Sequence, residues 1–184
     1  MTSKQIFNIL IAGTGGQGIF TLSNLIRKLA SQNNLKCEGA TFKGGAQRMG
    51  TVYTELRICT IPNEKINFSS QIIKGELDLL IGLEVWETLR FAKYCKSTAT
   101  VITSNQIEKL HVERMDGYIN MNPLEKLMEL FPDLILVSSE EKEMEPVKSS
   151  DHMNVRMLKE IIKRKLLPFR NIELPELNEL NKNL

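Results

Sequence analysis

The sequence predicts an α/β fold: a single domain built on a mainly parallel sheet with helices on both faces. Three observations predict it. Short apolar runs alternate along the chain with segments of helical period. The first apolar run passes into the first helical segment through a glycine-rich loop, "GTGGQG" (13–18), as a tight strand-to-helix turn requires. Finally, 184 residues, 42% of them hydrophobic, suffice for one well-cored domain and are too few for two comfortable ones.

"IFNILIA" (6–12) reads as a buried strand. Ile19, Leu22, Leu25, Ile26 and Leu29 then recur at three- and four-residue spacing, which lays one apolar stripe along a helix. "KCEGATF" (36–42) and "TVYTELRI" (51–58) are rich in β-branched and aromatic residues and predict two strands joined by the loop "KGGAQRMG". "ELDLLIGL" (76–83) and "TATVITS" (98–104) predict two more, separated by a helix whose face is Val85, Leu89 and Ala92. "NPLEKLMELF" opens with Asn122 as N-cap, Pro123 in the first turn and Glu125 at the third position, a capping-box arrangement, and the strand "DLILVSS" follows. "EEKEMEPVKSSD" (140–151) is too polar to bury and predicts a surface loop. Helical spacing resumes through Met153, Met157, Leu158, Ile161, Ile162 and Leu166, with Asp151 as the expected cap and a basic, solvated opposite side. Residues 1–170 are thus expected to form the domain. The tail 171–184, with Leu174, Leu177, Leu180 and Leu184 at helical intervals, is expected to be a short docking helix that needs a surface to lie on.

Composition removes several function classes. Lys and Arg number 24 and Asp and Glu 22, so no overall field draws nucleic acid or an anionic membrane. Cys37, Cys59 and Cys95 are far apart with no C-x-x-C, which leaves no zinc site and no iron–sulfur ligation and predicts buried thiols in a reducing compartment. The N-terminal apolar run is shorter than a signal-peptide core or a membrane span, so a cytoplasmic protein is expected. His111 and His152 have no companion cysteine or acid pattern suited to metal binding or a nucleophilic triad.

The glycine loop matches G-x-G-x-x-G, which makes the expected fold Rossmann-like. A turn of this kind leaves the first helical N–H groups without internal partners and can hold an anion. In a dinucleotide site an acid about 20 positions on takes the ribose hydroxyls. Glu38 stands at that distance, but near the start of its strand rather than the end. Spacing alone therefore leaves two readings open, an NAD or FAD loop and a glycine turn chosen for close strand–helix packing.

A wider combination is more specific. "GTGGQG", "GGAQRMGTVYTELRI", "ELDLLIGLEVWETLR" and "MNVRMLKEIIKRKLLPF" follow in order over roughly Ile6 to Phe169. Together they resemble the gamma-type subunit or domain of the 2-oxoacid:ferredoxin oxidoreductases, and most closely the beta subunit of the indolepyruvate type. That family's first loop reads G-x-G-G-Q-G, matched by Gly13, Gly15, Gly16, Gln17 and Gly18. Its second signature, G-x-A-Q-R-G-G-x-V with a strand ending in Arg-Ile, is matched by Gly44, Ala46, Gln47, Arg48, Gly50, Val52, Arg57 and Ile58. Met49 and Lys159 stand where the family has glycine, and a partnerless homologue acting as an interaction module is the reading those two departures keep open.

The resemblance implies a complex that oxidatively decarboxylates a 2-oxoacid to acyl-CoA and passes electrons to ferredoxin. It implies that this chain is its non-catalytic companion. Thiamine diphosphate, magnesium and iron–sulfur clusters would belong to a large partner subunit, coenzyme A would be a cosubstrate, and the chain itself would hold no cofactor and no metal. The residues implied to touch an anion, coenzyme A or the partner are Gly13, Gly15, Gly16, Gln17, Gly18, Gly44, Gly45, Gln47, Arg48 and Gly50. Arg48 is the best placed for a charge-assisted contact, its alternative being a pair with an acid of its own chain. Glu84 and Glu87 straddle a strand-to-helix junction, where acids suit the positive helix end. Trp86 beside them is core or a contact anchor.

Overall fold

The computed structural model describes residues 5–44, 50–64, 66–108, 121–138 and 152–169. In chain order these form β1 (Ile6–Thr14), α1 (Ile19–Gln32), β2 (Cys37–Lys43), β3 (Thr51–Cys59), β4 (Leu77–Gly82), α2 (Val85–Phe91), a 3-10 turn (Ala92–Tyr94), β5 (Cys95–Ser104), α3 (Pro123–Leu130), β6 (Ile135–Val137) and α4 (Met153–Lys163). The expected loop 140–151, Asp151 and the tail 171–184 lie outside the described residues.

The strands make one sheet in the order β2-β3-β1-β4-β5-β6. β1, β4, β5 and β6 run parallel to one another. β3 runs antiparallel to both β1 and β2, so it alone opposes the other five. The mainly parallel expectation holds, and the exception has a simple cause. β2 and β3 are joined by a short loop, which permits only a hairpin, whereas parallel neighbours need a long crossover.

β1 and β4 are the centre of the sheet, and their near-continuous apolar sequence reflects burial on both faces. On one face Ile9, Ile11, Leu79 and Ile81 pack against Leu22, Ile26 and Leu29 of α1 and Met157, Leu158 and Ile161 of α4. On the other, Leu10, Ala12 and Leu80 meet Phe91 of α2, with Phe131 at the end of α3 alongside. Asn122 caps α3 as expected, its Oδ1 accepting from the N–H groups of Leu124 (3.0 Å) and Glu125 (3.4 Å). The return bond to Glu125 Oε1 comes from the Asn122 side-chain amide, at 3.0 Å, in place of the backbone donor of a capping box. In α4 the N-cap position falls on His152, which makes no side-chain cap bond.

The chain leaves β1 toward β2 on one side and reaches β4 on the other. A crevice therefore opens at the carboxyl ends of β1 and β4, where open α/β sheets place their ligands.

Candidate functional site

The glycine loop occupies that crevice. Gly16 (φ +96°) and Gly18 (φ +77°) adopt left-handed backbone that side chains disfavour. Gly13 is needed for a different reason: a Cβ there would stand 2.5 Å from Gln17 Oε1 and 3.2 Å from the Leu83 side chain. Gln17 folds back over the loop, its Oε1 accepting from Thr14 N–H at 2.9 Å and its Nε2 donating to Glu108 Oε1 at 3.2 Å. Gly15 N–H donates to the Gly50 carbonyl at 3.1 Å, and Gly44 N–H to the Thr51 carbonyl at 2.7 Å, so the ends of the second glycine loop are tied to the first and to β3. Gly45, Gln47, Arg48 and Met49 lie outside the described residues.

Gly16, Gln17 and Gly18 line a cavity of about 290 Å³ together with Thr21, Gln106, His152 and Asn154. Two helices, α1 and α4, begin at this cavity. Neither start has a side-chain cap bond or an acid in its first turn. Among the described residues neither helix supplies an acid to its own positive end, an arrangement suited to an anion, and the Glu108 carboxylate reaches the loop from outside both helices. Asn154 is buried, and its Nδ2 donates to the Gly18 carbonyl at 3.5 Å. Sequence reasoning did not select Thr21, Gln106, His152 or Asn154 as site residues. Asn154 carried a signal, standing in the segment "MNVRMLKEIIKRKLLPF" that is part of the family resemblance; Gln106 is brought in only by the sheet.

Below the loop lies a framework of carboxylates. Glu84 caps α2, its Oε2 accepting from Glu87 N–H at 2.8 Å, as its place at the junction led one to expect. Glu87 Oε1 accepts from Thr51 Oγ1 at 3.0 Å while its Oε2 pairs with Arg90 at 3.1 Å. Trp86 is buried, the core outcome of the two expected.

Glu38 cannot serve a ligand on the glycine loop. It pairs in register with Arg57, which in turn pairs with Asn8 on β1. Asn8 is five residues before Gly13, a distance of roughly 17 Å at strand rise. In addition, β3 separates β2 from β1, where a dinucleotide fold has a parallel neighbour. Arg57 has a structural employment at this far end, donating to Asn8 Oδ1 (3.0 Å) and the Ser69 carbonyl (2.8 Å).

The cysteines sit on different strands and are unpaired. Burial pushes the Cys37 thiol up to about 11 and the Cys95 thiol up to about 12, which keeps both neutral and poor as ligands or nucleophiles. Among the described residues no group of three or more His, Cys, Asp or Glu could hold a metal ion, and no helix is long and apolar enough to cross a membrane. Lys159 is exposed on α4, so its departure from glycine meets solvent.

Residues 8–160 match the family described as pyruvate ferredoxin/flavodoxin oxidoreductase. The chain is 35% identical over 101 residues to the indolepyruvate oxidoreductase subunit IorB of Archaeoglobus fulgidus, a match covering 54% of this chain and 47% of that protein. It is 32% identical over 98 residues to the subunit of the same name from Thermococcus kodakarensis, covering 53% and 46%. The chain thus spans about half the length of the curated relatives it matches. The fold is that of the pyruvate oxidoreductase subunit PORC of Thermotoga maritima, with a TM-score of 0.60 at 10% identity over 96% of this chain and 84% of the other. It also resembles part of the 2-oxoglutarate:ferredoxin oxidoreductase of Magnetococcus marinus, solved with 2-oxoglutarate, coenzyme A and succinyl-CoA bound: TM-score 0.52, 14% identity, 97% of this chain and 30% of that one.

Proposed function

The chain belongs to the pyruvate ferredoxin/flavodoxin oxidoreductase family, and from that premise we propose that it is the non-catalytic companion subunit of a cytoplasmic, indolepyruvate-type 2-oxoacid:ferredoxin oxidoreductase. The observation that carries this reading is the junction of two helix starts and a left-handed glycine loop over one cavity at the carboxyl ends of β1 and β4. Such a seat fits a phosphate or carboxylate, with His152 beside it as a donor. The anion is a phosphate of coenzyme A or a carboxylate of the large subunit. We assign Gly44, Gly45, Gln47, Arg48 and Gly50 the same role on the strength of the family resemblance, with Arg48 as the cation for such an anion.

The residues described here do not fit an iron–sulfur cluster, because the three cysteines stand on separate strands as neutral or buried thiols. On this reading thiamine diphosphate with magnesium and the clusters belong to a large partner subunit, where they would supply decarboxylation and the path to ferredoxin. The reading as a stand-alone NAD or FAD protein fails on the position of Glu38 and on the strand order.

The test is reconstitution. Expressed alone, the chain is expected to be free of iron and thiamine diphosphate and to turn over no 2-oxoacid. Expressed with a large subunit carrying thiamine diphosphate and cysteine-cluster motifs, it is expected to copurify with it and to restore 2-oxoacid-dependent reduction of ferredoxin. Turnover by the isolated chain, or an active large subunit indifferent to it, overturns the proposal.

A further inference from the structure

Glutamate is an uncommon N-cap, a position where Ser, Thr, Asp and Asn predominate. Glu84 is fully buried there, and its two oxygens serve different segments. Oε2 accepts from Glu87 N–H at 2.8 Å, the capping bond, and Oε1 accepts from Glu108 N–H at 3.3 Å. A side chain one methylene shorter would cap but would not extend as far toward Glu108. Held in this way, Glu108 reaches the glycine loop, where its Oε1 accepts from Thr14 Oγ1 at 2.6 Å and from Gln17 Nε2 at 3.2 Å. The Gln17 amide is thereby held at both ends, its Nε2 by Glu108 and its Oε1 by Thr14 N–H. Thr14 is also the register partner of Thr51, which Glu87 holds from the same helix start.

We propose that Glu108 is a positioning residue for the "GTGGQG" loop, with Glu84 as the buried bracket that carries it. The start of α2 thereby sets the direction in which the loop faces its ligand. Glu108 is not among the residues lining the cavity. It acts through Thr14 and Gln17, whose donors it gathers on one oxygen, while Gly16, Gln17 and Gly18 form the cavity wall. The functional weight of this role rests on the reading of that loop as a contact surface, and the test separates the two.

The experiment compares the full chain with Glu108→Ala and Glu108→Gln, since glutamine keeps the Oε1 acceptor for both donors. Amide exchange is read at Thr14, Gly15 and Gln17, and the Gln17 side-chain amide is followed by nitrogen-15 NMR. In Glu108→Ala exchange at these amides is expected to rise by roughly tenfold or more while the interiors of β4 and α1 stay protected. The Gln17 side-chain resonances are expected to move toward those of free glutamine, and Glu108→Gln is expected to return both readouts to the parent pattern. Unchanged loop exchange in Glu108→Ala overturns the proposal. So does a rise spread evenly over β1, β4 and α1, or a glutamine variant that behaves as the alanine one does. Inorganic pyrophosphate titrated into the same three proteins tests the other reading. Absence of binding to the parent chain removes the phosphate seat and leaves the positioning role to be decided by exchange alone.

Discussion

Asn154 fills the space that a Cβ on Gly18 would occupy, its own Cγ standing 2.8 Å and its Cβ 3.3 Å from that point. The two residues are 136 positions apart and are joined by the bond from Asn154 Nδ2 to the Gly18 carbonyl. Gly18 is therefore required twice, by its left-handed φ and by its neighbour. Gly16 is required only once, since no atom lies within 4 Å of its Cβ position. Gly16→Ala is expected to cost about 1–2 kcal/mol from backbone strain alone. Gly18→Ala is expected to cost more, because the start of α4 must also move. Urea unfolding of the two variants checks this, and equal losses would show that Asn154 yields freely.

The register of Glu38 leads to a binding prediction. With the only acid at dinucleotide spacing at the opposite end of the sheet, calorimetry with NAD, NADP and FAD is expected to show no saturable binding. Micromolar binding of any of them that Gly16→Ala abolishes would return the dinucleotide reading.

Glu55 supplies a pH dependence. It is buried on β3, where desolvation raises its pKa above 4.5, partly opposed by the Ile72 N–H bond at 2.8 Å and by the Arg57 charge. The folded state thus holds this proton more tightly than the unfolded chain. The stability tied to it is full below the unfolded value and is lost as pH rises through the folded one. Glu55→Gln keeps an acceptor for Ile72 and carries no charge. It is expected to be more stable than the parent at pH 7, by a margin that closes as pH falls below 4.5. Thermal unfolding at a series of pH values reads the sign directly.

For Cys37 and Cys95 burial raises the thiol values to about 11 and about 12, against 9.0 without it. Both are expected to react slowly with a thiol reagent at pH 8 in the folded chain and at once in urea. On the same linkage, stability is expected to fall as pH rises past 9, where the unfolded thiols ionise first. Both side chains are half-buried, and fast labelling of the native protein would show that burial does not hold their thiols neutral.

Legibility followed the range of the interaction. Strands, the helical faces of α1 and α4 and the Asn122 cap were readable because period, burial and cap bonds are set within a few residues. The need for glycine at 13, 16 and 18 was readable as a pattern, although its causes differ: side-chain crowding at Gly13, free rotation at Gly16, and both at Gly18. Glu84 and Glu87 were placed correctly at a helix start, yet their bonds to Glu108 and Thr51 depend on segments 24 and 36 positions away.

By itself the sequence determined the alternation of strands and helices, the glycine loop after β1, the lack of a cysteine cluster and the family resemblance, all of which reside in local spacing or in residue identity. Tertiary structure alone decided that β3 inserts antiparallel between β2 and β1, which carries Glu38 away from the loop. It alone brought the start of α4 against the start of α1, so that His152 and Asn154 share a cavity with Gly16 and Gly18. The physical reason is that strand order and helix docking are chosen by which apolar faces bury one another best across the whole sheet, a comparison among distant segments that no local period encodes.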